Sequence, residues 1–292
     1  MHKSFAFLTM DNTEGWQIDA GLAIPHLESL GWAVEWVRWR QPGVNWNDYD
    51  AVYICTPWDY PEDPERFLRV LEAIDRSGAV LINCIELVRW NLQKTYLRDL
   101  ESRGVDIVPS IWCRDSTDLD FESFFGTLGT GQIVIKPVVS TNATDTFIAN
   151  RENAERIAEK LQVVFSNRAC VVQPFISNIQ LDGEFSLFYF NGELSHAIQK
   201  IPKLQDFRVQ EEHGATLTRV EPELALQAAA EHVLQLVEPM PVYARCDFVR
   251  DDGGRYLLME LELIEPSMYL RMNEGSGELF AAVLDASASN YH

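Results

Sequence analysis

The sequence predicts an α/β protein that begins with a parallel sheet and continues into antiparallel hairpins. Short apolar runs alternate with amphipathic stretches over the first third of the 292 residues, which is typical of strand–helix–strand units. Two turn signals, Asn191-Gly192 and the Asp-Asp-Gly-Gly run at 251–254, each separate a pair of strand-like segments, as hairpin turns do. A chain of this length is expected to form two or three lobes around a shared cleft.

The first third predicts four strands and two helices. Apolar residues such as Phe67, Leu71 and Ile74 recur at helical spacing, and the two helices are expected to end at Gly31 and Gly78. The strands are predicted at 4–9, 33–39, 51–56 and 80–83, and the helices at 18–31 and 64–78.

The remaining two thirds predict a mixed middle region followed by mostly antiparallel strands after Phe175. An apolar segment at 106–112 and an acidic loop precede two strands, at 132–137 and 169–175. Helices are predicted at 87–104, around 151–166, at 222–237 and at about 276–287. The hairpin strands are predicted at 184–190, 193–202, 243–250 and 255–266.

The charge balance argues against nucleic acid and membrane surfaces as partners. Lys and Arg number 24 against 44 Asp and Glu, which gives a formal net charge of −20 and a field that repels phosphate backbones and anionic lipid. The N-terminal residues match no signal-peptide pattern, and no run approaches the ~20 apolar residues of a spanning helix. The five cysteines are scattered and odd in number, so we expect free thiols and a cytoplasmic location.

The second hairpin predicts a metal site. With a two-residue turn at 252–253, residues whose numbers sum to 505 pair, so Arg245 faces Glu260 and Asp247 faces Leu258. Because residues two apart share a sheet face, one face carries Arg245, Asp247, Glu260 and Glu262, and the other carries Cys246, Met259, Leu261 and Leu263. Three carboxylates on one face suit Mg²⁺, which prefers oxygen ligands. A half-buried strand with a solvated acidic face is the alternative.

Three lysines and one glutamine are candidates for nucleotide binding. Lys136 and Lys200 stand near strand ends beside polar loops, and Lys94 is predicted on a helix. Lysines at such positions can contact phosphate oxygens, although each alone equally fits a solvated surface group. Gln173 ends an apolar strand whose backbone could meet an adenine edge, and which equally fits a core strand.

The order of these segments is more specific than any one of them. It runs W-D-Y (58–60), V-R-W-N-L-Q-K-T-Y-L (88–97), V-I-K-P (134–137), Q-P-F (173–175), H-A-I-Q-K (196–200) and M-E-L-E-L-I-E-P (259–266). This series resembles the ATP-grasp superfamily in its glutathione-synthetase-like branch, and most closely the cyclo-ligases that close O-ureido-serine to cycloserine. The resemblance implies an N-terminal parallel α/β domain at 1–92, a small ATP-grasp lobe at 93–175 and a large lobe with the metal site at 176–292.

The resemblance also implies roles for individual residues. Those expected to bind ATP are Lys94, Lys136, Gln173, Pro174, Phe175, Ile176, Glu184 and Lys200. Arg208 and Lys200 are the expected catalytic residues, which meet the γ-phosphate and the acyl-phosphate oxygens. The expected metal ligands are Asp247, Glu260 and Glu262, in agreement with the pairing argument. The expected substrate contacts are Asp11, Trp58, Asp59, Glu265 and Ser267.

The implied function is ATP-dependent ligation with ATP and Mg²⁺ as cofactors, and Mn²⁺ as a substitute. A small amino-acid-like carboxylate is activated as an acyl phosphate, and an amine-type nucleophile forms the C–N bond as ADP and phosphate are released. The reaction either joins two molecules or closes a ring. A small-molecule kinase and a non-catalytic nucleotide-binding protein are the alternatives, and a homodimer is the expected assembly.

One segment departs from the family pattern. Many relatives carry a glycine-rich flap after K-P, whereas residues 138–146 contain no glycine. Hydroxyl and amide groups of this segment are the expected substitutes for glycine backbone donors, namely Ser140, Thr141, Asn142 and Thr144.

Overall fold

The computed structural model describes residues 3–204 and 206–289 and contains three sheets. The first comprises β1 (Lys3–Thr9), β2 (Trp32–Arg38), β3 (Ala51–Thr56) and β4 (Val80–Ile82). Its order is β2-β1-β3-β4 and all its pairings are parallel, which confirms the predicted α/β arrangement. The two predicted helices are α1 (Ile24–Ser29), which follows a 3-10 turn at Ala20–Ala23, and α2 (Pro64–Asp75).

The single helix predicted after the first sheet is instead two helices, α3 (Ile85–Asn91) and α4 (Tyr96–Ser102). Lys94 therefore lies in the connection between them, which corrects its predicted helical position. The Asn91 amide donates to the Leu261 oxygen at 2.8 Å, and the Tyr96 hydroxyl accepts from the Leu261 nitrogen at 2.9 Å. Both helices are thus fixed to one strand, and the break leaves the Lys94 N–H free to donate to Val138 at 2.8 Å.

The middle sheet is antiparallel and consists of β5 (Ile111–Cys113), β6 (Gln132–Pro137), β7 (Phe147–Asn150) and β8 (Cys170–Pro174), in the order β5-β8-β6-β7. Helices α5 (Phe121–Leu128) and α6 (Ala154–Val164) accompany it. The sequence analysis missed β7, and it predicted a loop where α5 lies. Asp120 caps α5 by accepting from the Ser123 N–H at 3.1 Å, and Gly129 ends it with φ of 62°, so local capping outweighs the acidic composition.

The third sheet consists of β9 (Glu184–Phe190), β10 (Glu193–Ile201), β11 (Thr216–Val220), β12 (Tyr243–Arg250) and β13 (Tyr256–Glu262). It is antiparallel, as predicted, and its order is β11-β10-β9-β12-β13. The Asn191-Gly192 turn is confirmed, and both residues have the positive φ of a type I′ turn, 49° and 82°. Helices α7 (Leu224–Gln235) and α8 (Ser276–Ser289) complete the fold. Further 3-10 turns lie at Trp46–Asp48, Tyr60–Glu62, Ser116–Asp118, Ser177–Gln180, Glu211–His213 and Leu270–Met272.

The register of the second hairpin differs from the prediction. Asp247 pairs with Glu260, and Arg245 pairs with Glu262. The longer connection between the strands shifts the register by one residue, and the bulge between Asp247 and Phe248 shifts it by one more. The shift equals two residues, so the predicted shared face of the four polar side chains is preserved. The bulge leaves Met259 without a pairing partner on β12, and its side chain packs in the apolar cluster of Val249 and lines the cleft, and not the opposite face as predicted.

The first and third sheets share one core. Phe280 of α8 packs against Tyr53 of β3 with ring centroids 5.4 Å apart and against Phe190 of β9 at 4.9 Å. Tyr53 also contacts Tyr243 of β12 at 5.2 Å. This packing fixes the first sheet on the third, while the domain boundaries at 92/93 and 175/176 stay a prediction. Among the described residues, no helix combines the length and the apolar character needed to cross a membrane.

Candidate active site

A cleft of about 1560 Å³, part of it open to solvent, is lined by residues from the strands and loops around all three sheets. Most of the predicted site residues line this cleft, namely Trp58, Lys94, Lys136, Gln173, Pro174, Phe175, Ile176, Glu184, Lys200, Arg208, Asp247, Glu260, Glu262, Glu265 and Ser267.

The acidic side chains of the cleft are Glu184, Asp247, Glu260 and Glu262 at its base, which is called the floor below. Lys200 pairs with two of these acids. Its Nζ lies 3.0 Å from Glu184 Oε1 and 3.7 Å from Asp247 Oδ1, and all three residues are buried. Burial alone would lower the pKa of Lys200, but Asp247 and Glu184 outweigh it and raise the pKa above its usual value. Gly183 permits the approach of β9 to β10, since its φ is +71° and a Cβ there would overlap the Lys200 carbonyl.

Arg245 and Lys94 neutralise the other carboxylates of the floor. The Arg245 guanidinium lies 3.0 Å from Asp247 Oδ2 and also contacts Glu262, while Lys94 Nζ lies 2.6 Å from Glu260 Oε1. Burial raises the pKa of Glu262 to about 7, and the neighbouring Glu260 and Asp247 carboxylates add to this effect against Arg245. Sequence reasoning placed Arg245 on this face but gave it no role in the site.

The donor chemistry of this floor fits a hard divalent cation. Asp247, Glu260 and Glu262 present carboxylate oxygens on one sheet face, and such oxygens are the ligands that Mg²⁺ prefers. Within residues 3–204 and 206–289, no three acidic, His or Cys side chains converge closely enough to hold an ion, because each carboxylate turns toward a lysine or arginine. Ligation by these three residues therefore stays a prediction, and it requires them to exchange these partners for the metal.

The end of the cleft formed by the middle sheet combines a buried cation with an apolar slot. Lys136, the penultimate residue of β6, is 9% exposed and has no ion pair among the described residues. Burial lowers the pKa of Lys136, and Lys94 adds to the effect while Glu260 opposes it. Phe175 and Ile176 pack with Val249 and Met259 beside it. The Gln173 amide donates to Ser110 Oγ at 2.9 Å.

Arg208 reaches the cleft from the loop after β10. Asp206 holds its guanidinium through two contacts, from Nε at 3.0 Å and from Nη2 at 2.7 Å, and the Arg208 side chain is 40% exposed. The hydrogen bonds from Arg208 keep the pKa of Asp206 well below its usual value. The cleft also contains Trp16 and Gln210, two residues that the sequence gave no reason to select.

Two predicted substrate contacts are not brought to the cleft. Asp59 accepts from Trp39 Nε1 at 2.6 Å and pairs with Arg40, so its carboxylate is already occupied. Asp11 is exposed and lies 3.8 Å from Arg38. Ion-pair partners of this kind, far from the motifs in sequence, explain why the sequence analysis misplaced both.

The flap, residues 138–146, is held by the surrounding protein. Lys94 Nζ donates to the Ser140 carbonyl at 3.1 Å, and the Thr141 hydroxyl donates to the Trp58 carbonyl at 2.7 Å. Three flap residues adopt a positive φ without being glycine, which are Asn142 (53°), Ala143 (54°) and Asp145 (54°). The hydrogen bonds of Ser140 and Thr141 therefore hold the flap in a backbone conformation that glycine adopts more readily than other residues.

Comparisons with known proteins show the family of the chain. The cycloserine biosynthesis protein DcsG of Streptomyces lavendulae is 30% identical over 271 residues, which cover 88% of this chain and 89% of that protein. The chain belongs to this D-cycloserine-synthetase family of ATP-grasp ligases. The family described as the N-terminal domain of D-cycloserine synthetase DcsG also matches residues 5–83. The protein is therefore an ATP-dependent carboxylate–amine ligase, with ATP and Mg²⁺ as cofactors.

Solved structures extend the likeness to the whole ligase. The crystal structure of D-cycloserine synthetase DcsG aligns with a TM-score of 0.84 at 26% identity, over 99% of this chain and all of that one. A D-alanine–D-alanine ligase from Bacillus anthracis complexed with ATP aligns with a TM-score of 0.74 at 15% identity, over 100% of this chain and 98% of that one. The second likeness concerns the fold alone, and together they confirm the predicted ATP-grasp fold.

The ion pairs of the floor predict that substitution of Lys200 lowers the stability of the protein more than substitution of Lys136. Lys200→Met should lower the free energy of unfolding by about 3 kcal/mol or more, because Glu184 loses its partner in a buried site. Lys136→Met is the matched control, since it also removes a buried strand lysine but breaks no ion pair among the described residues. Urea unfolding of both variants measures the difference, and equal stabilities would contradict this account of the floor.

Proposed function

We propose that this ligase closes a ring within one small amino-acid-like substrate. ATP would convert the substrate carboxylate into an acyl phosphate, and a nitrogen of the same molecule would displace phosphate to form the C–N bond. The observation that carries the proposal is the 30% identity to the cycloserine biosynthesis protein over 88% of the chain. A substrate of the O-ureido-serine kind is the corresponding candidate.

We assign the nucleotide to the end of the cleft between the middle and third sheets. Lys94 and Lys136 would contact the phosphates, and Glu184 the ribose. The Gln173–Ile176 segment would hold the adenine, supported by the apolar slot beside Met259. This assignment corresponds to the proposed small lobe at 93–175 closing on the large lobe at 176–292.

Catalysis in this proposal depends on charge balance at the transferred phosphoryl group. Lys200 and Arg208 would stabilise the oxygens that gain charge during transfer. Asp247, Glu260 and Glu262 would hold Mg²⁺, which neutralises phosphate charge when it is bound. The exposed Arg208 is able to approach a substrate without breaking a buried pair.

The substrate would lie toward Trp58, Glu265 and Ser267, which share the cleft with the floor residues. Asp11 and Asp59 have no place in this proposal, because neither lines the cleft. A homodimer and a cytoplasmic location stay predictions.

The reaction type is tested by phosphate release from ATP and Mg²⁺. O-ureidoserine alone should stimulate release, with an equal amount of ADP and a ring product detected by mass spectrometry. A panel of amino acids, singly and in pairs, is the comparison. Stimulation only by a pair would indicate that two molecules are joined, and a stable phosphorylated product without phosphate release would indicate a kinase.

The phosphate site is tested by Lys136→Met. This change removes a charge-assisted contact worth ~1.5–3 kcal/mol, so ATP should bind about tenfold more weakly in a calorimetric titration. Lys160→Met and Lys203→Met are the controls, since both lysines are exposed and outside the cleft. If Lys136→Met binds ATP like the controls, the nucleotide lies elsewhere.

The metal site is tested by Glu260→Gln, which keeps the side-chain shape and removes the charge. Phosphate release should fall about 100-fold or more, because loss of a metal ligand costs several kcal/mol of barrier. Glu278→Gln, at an exposed position on α8, should leave the rate unchanged. Retention of more than about a tenth of the activity at low Mg²⁺ by the Glu260 variant would exclude it as a ligand.

A further inference from the structure

Glu265 differs from the four carboxylates at the floor of the cleft because it has no partner among the described residues. It follows β13, is 6% exposed and lines the cleft. Its carboxylate forms no hydrogen bond and no ion pair with any described residue, whereas Glu184, Asp247, Glu260 and Glu262 each contact a lysine or arginine. A carboxyl group buried without a counter-charge is held in its neutral form, and a cation that binds beside it in the cleft would stabilise the ionised form.

The backbone around Glu265 is fixed, so the side chain cannot easily find a partner by moving. Trp58 Nε1 donates to the Glu265 carbonyl at 2.9 Å, and the Tyr243 hydroxyl donates to the Ile264 carbonyl at 2.7 Å. Arg245 Nη1 donates to the Ser267 carbonyl at 3.3 Å. The segment 264–267 is thus tied to both the first and the third sheet, with the Glu265 carboxylate left facing the cleft.

The surroundings favour an organic cation. Trp16 and Trp58 line the same part of the site, with ring centroids 5.1 Å apart, and aromatic faces attract ammonium groups. The cations nearest in the cleft, Lys94 and Arg245, are already engaged by Glu260, Asp247 and Glu262. Burial raises the pKa of Glu265 well above its usual value, and Glu262 adds to the effect. Both effects are those of a carboxyl group that has no cation beside it.

We propose that Glu265 is the receptor for a primary ammonium group of the substrate, and that this ammonium is a spectator in ligation. The inference rests on the proposed function in taking the carboxylate-activated molecule as its ligand. A carboxylate partner favours the charged form of an amine, and a protonated amine has no lone pair for attack. The nitrogen that forms the new bond is therefore a different one, as it is in the O-ureido-serine candidate, and Glu265 would select substrates that carry the ammonium group over plain carboxylates.

The experiment compares two probes that differ only in the ammonium group. These are O-ureidoserine and 3-(ureidooxy)propanoate, which lacks the α-amino group, titrated by calorimetry in the presence of Mg²⁺ and a non-hydrolysable ATP analogue. Wild-type protein should bind the amino probe at least about tenfold more tightly, as expected for a buried charged hydrogen bond. Glu265→Gln should bind the two probes within about threefold of each other, mainly through weaker binding of the amino probe.

Two controls separate this result from general damage. Glu274→Gln removes an exposed acid outside the cleft and should keep the wild-type preference. The affinity of every variant for the ATP analogue should be unchanged, which shows that the fold and the nucleotide site are intact.

The inference is overturned if the wild-type protein does not prefer the amino probe, or if Glu265→Gln keeps the preference. It is also overturned if the only effect of Glu265→Gln is a higher Mg²⁺ requirement, since Glu265 would then serve the metal. Failure of the proposed ring closure is distinguishable: the amino probe would bind with the expected preference but release no phosphate from ATP.

Discussion

Four acidic side chains lie close together at the floor of the cleft, and their charge has to be neutralised inside the protein. The cations come from three separate segments: Lys94 from the α3–α4 connection, Lys200 from β10 and Arg245 from β12. Because a buried charge without a partner is far more costly than a paired one, these segments have to meet. The broken helix before Lys94 and the close approach of β9 to β10 at Gly183 are local consequences.

The same charges explain how a chain of net charge −20 accommodates an anionic nucleotide. The acidic field of the surface acts at long range, whereas the lysines of the cleft are buried and act over a few ångströms. In the proposed site, phosphate oxygens would replace the carboxylate partners of Lys94 and Lys200, and the released carboxylates would be free to bind a divalent cation. The ion pairs of Lys94, Lys200 and Arg245 thus hold these lysines and carboxylates in place before a ligand binds.

Much of the fold and site followed from the sequence because it depended on local patterns. The alternation of side chains along a strand placed Asp247, Glu260 and Glu262 on one face. This placement is correct although the predicted register of the hairpin was wrong, because the register error is an even number of residues. The bulge at Met259 did not follow, because one inserted residue leaves no signal in composition. Nor did the packing of α8 on the first sheet or the pairing of Asp59 with Arg40, since both depend on tertiary contacts that no local period encodes.

The flap adopts a positive φ at three residues that are not glycine. Glycine tolerates a positive φ without cost, whereas Ala143 does so only if contacts outweigh the strain. Thr141 supplies one such contact through the Trp58 carbonyl, and the Trp58 indole in turn binds the Glu265 carbonyl. One tryptophan thereby joins the flap to the strand end that carries the unpartnered carboxylate. A change in the position of Trp58 would therefore alter the flap and the proposed substrate end of the cleft together.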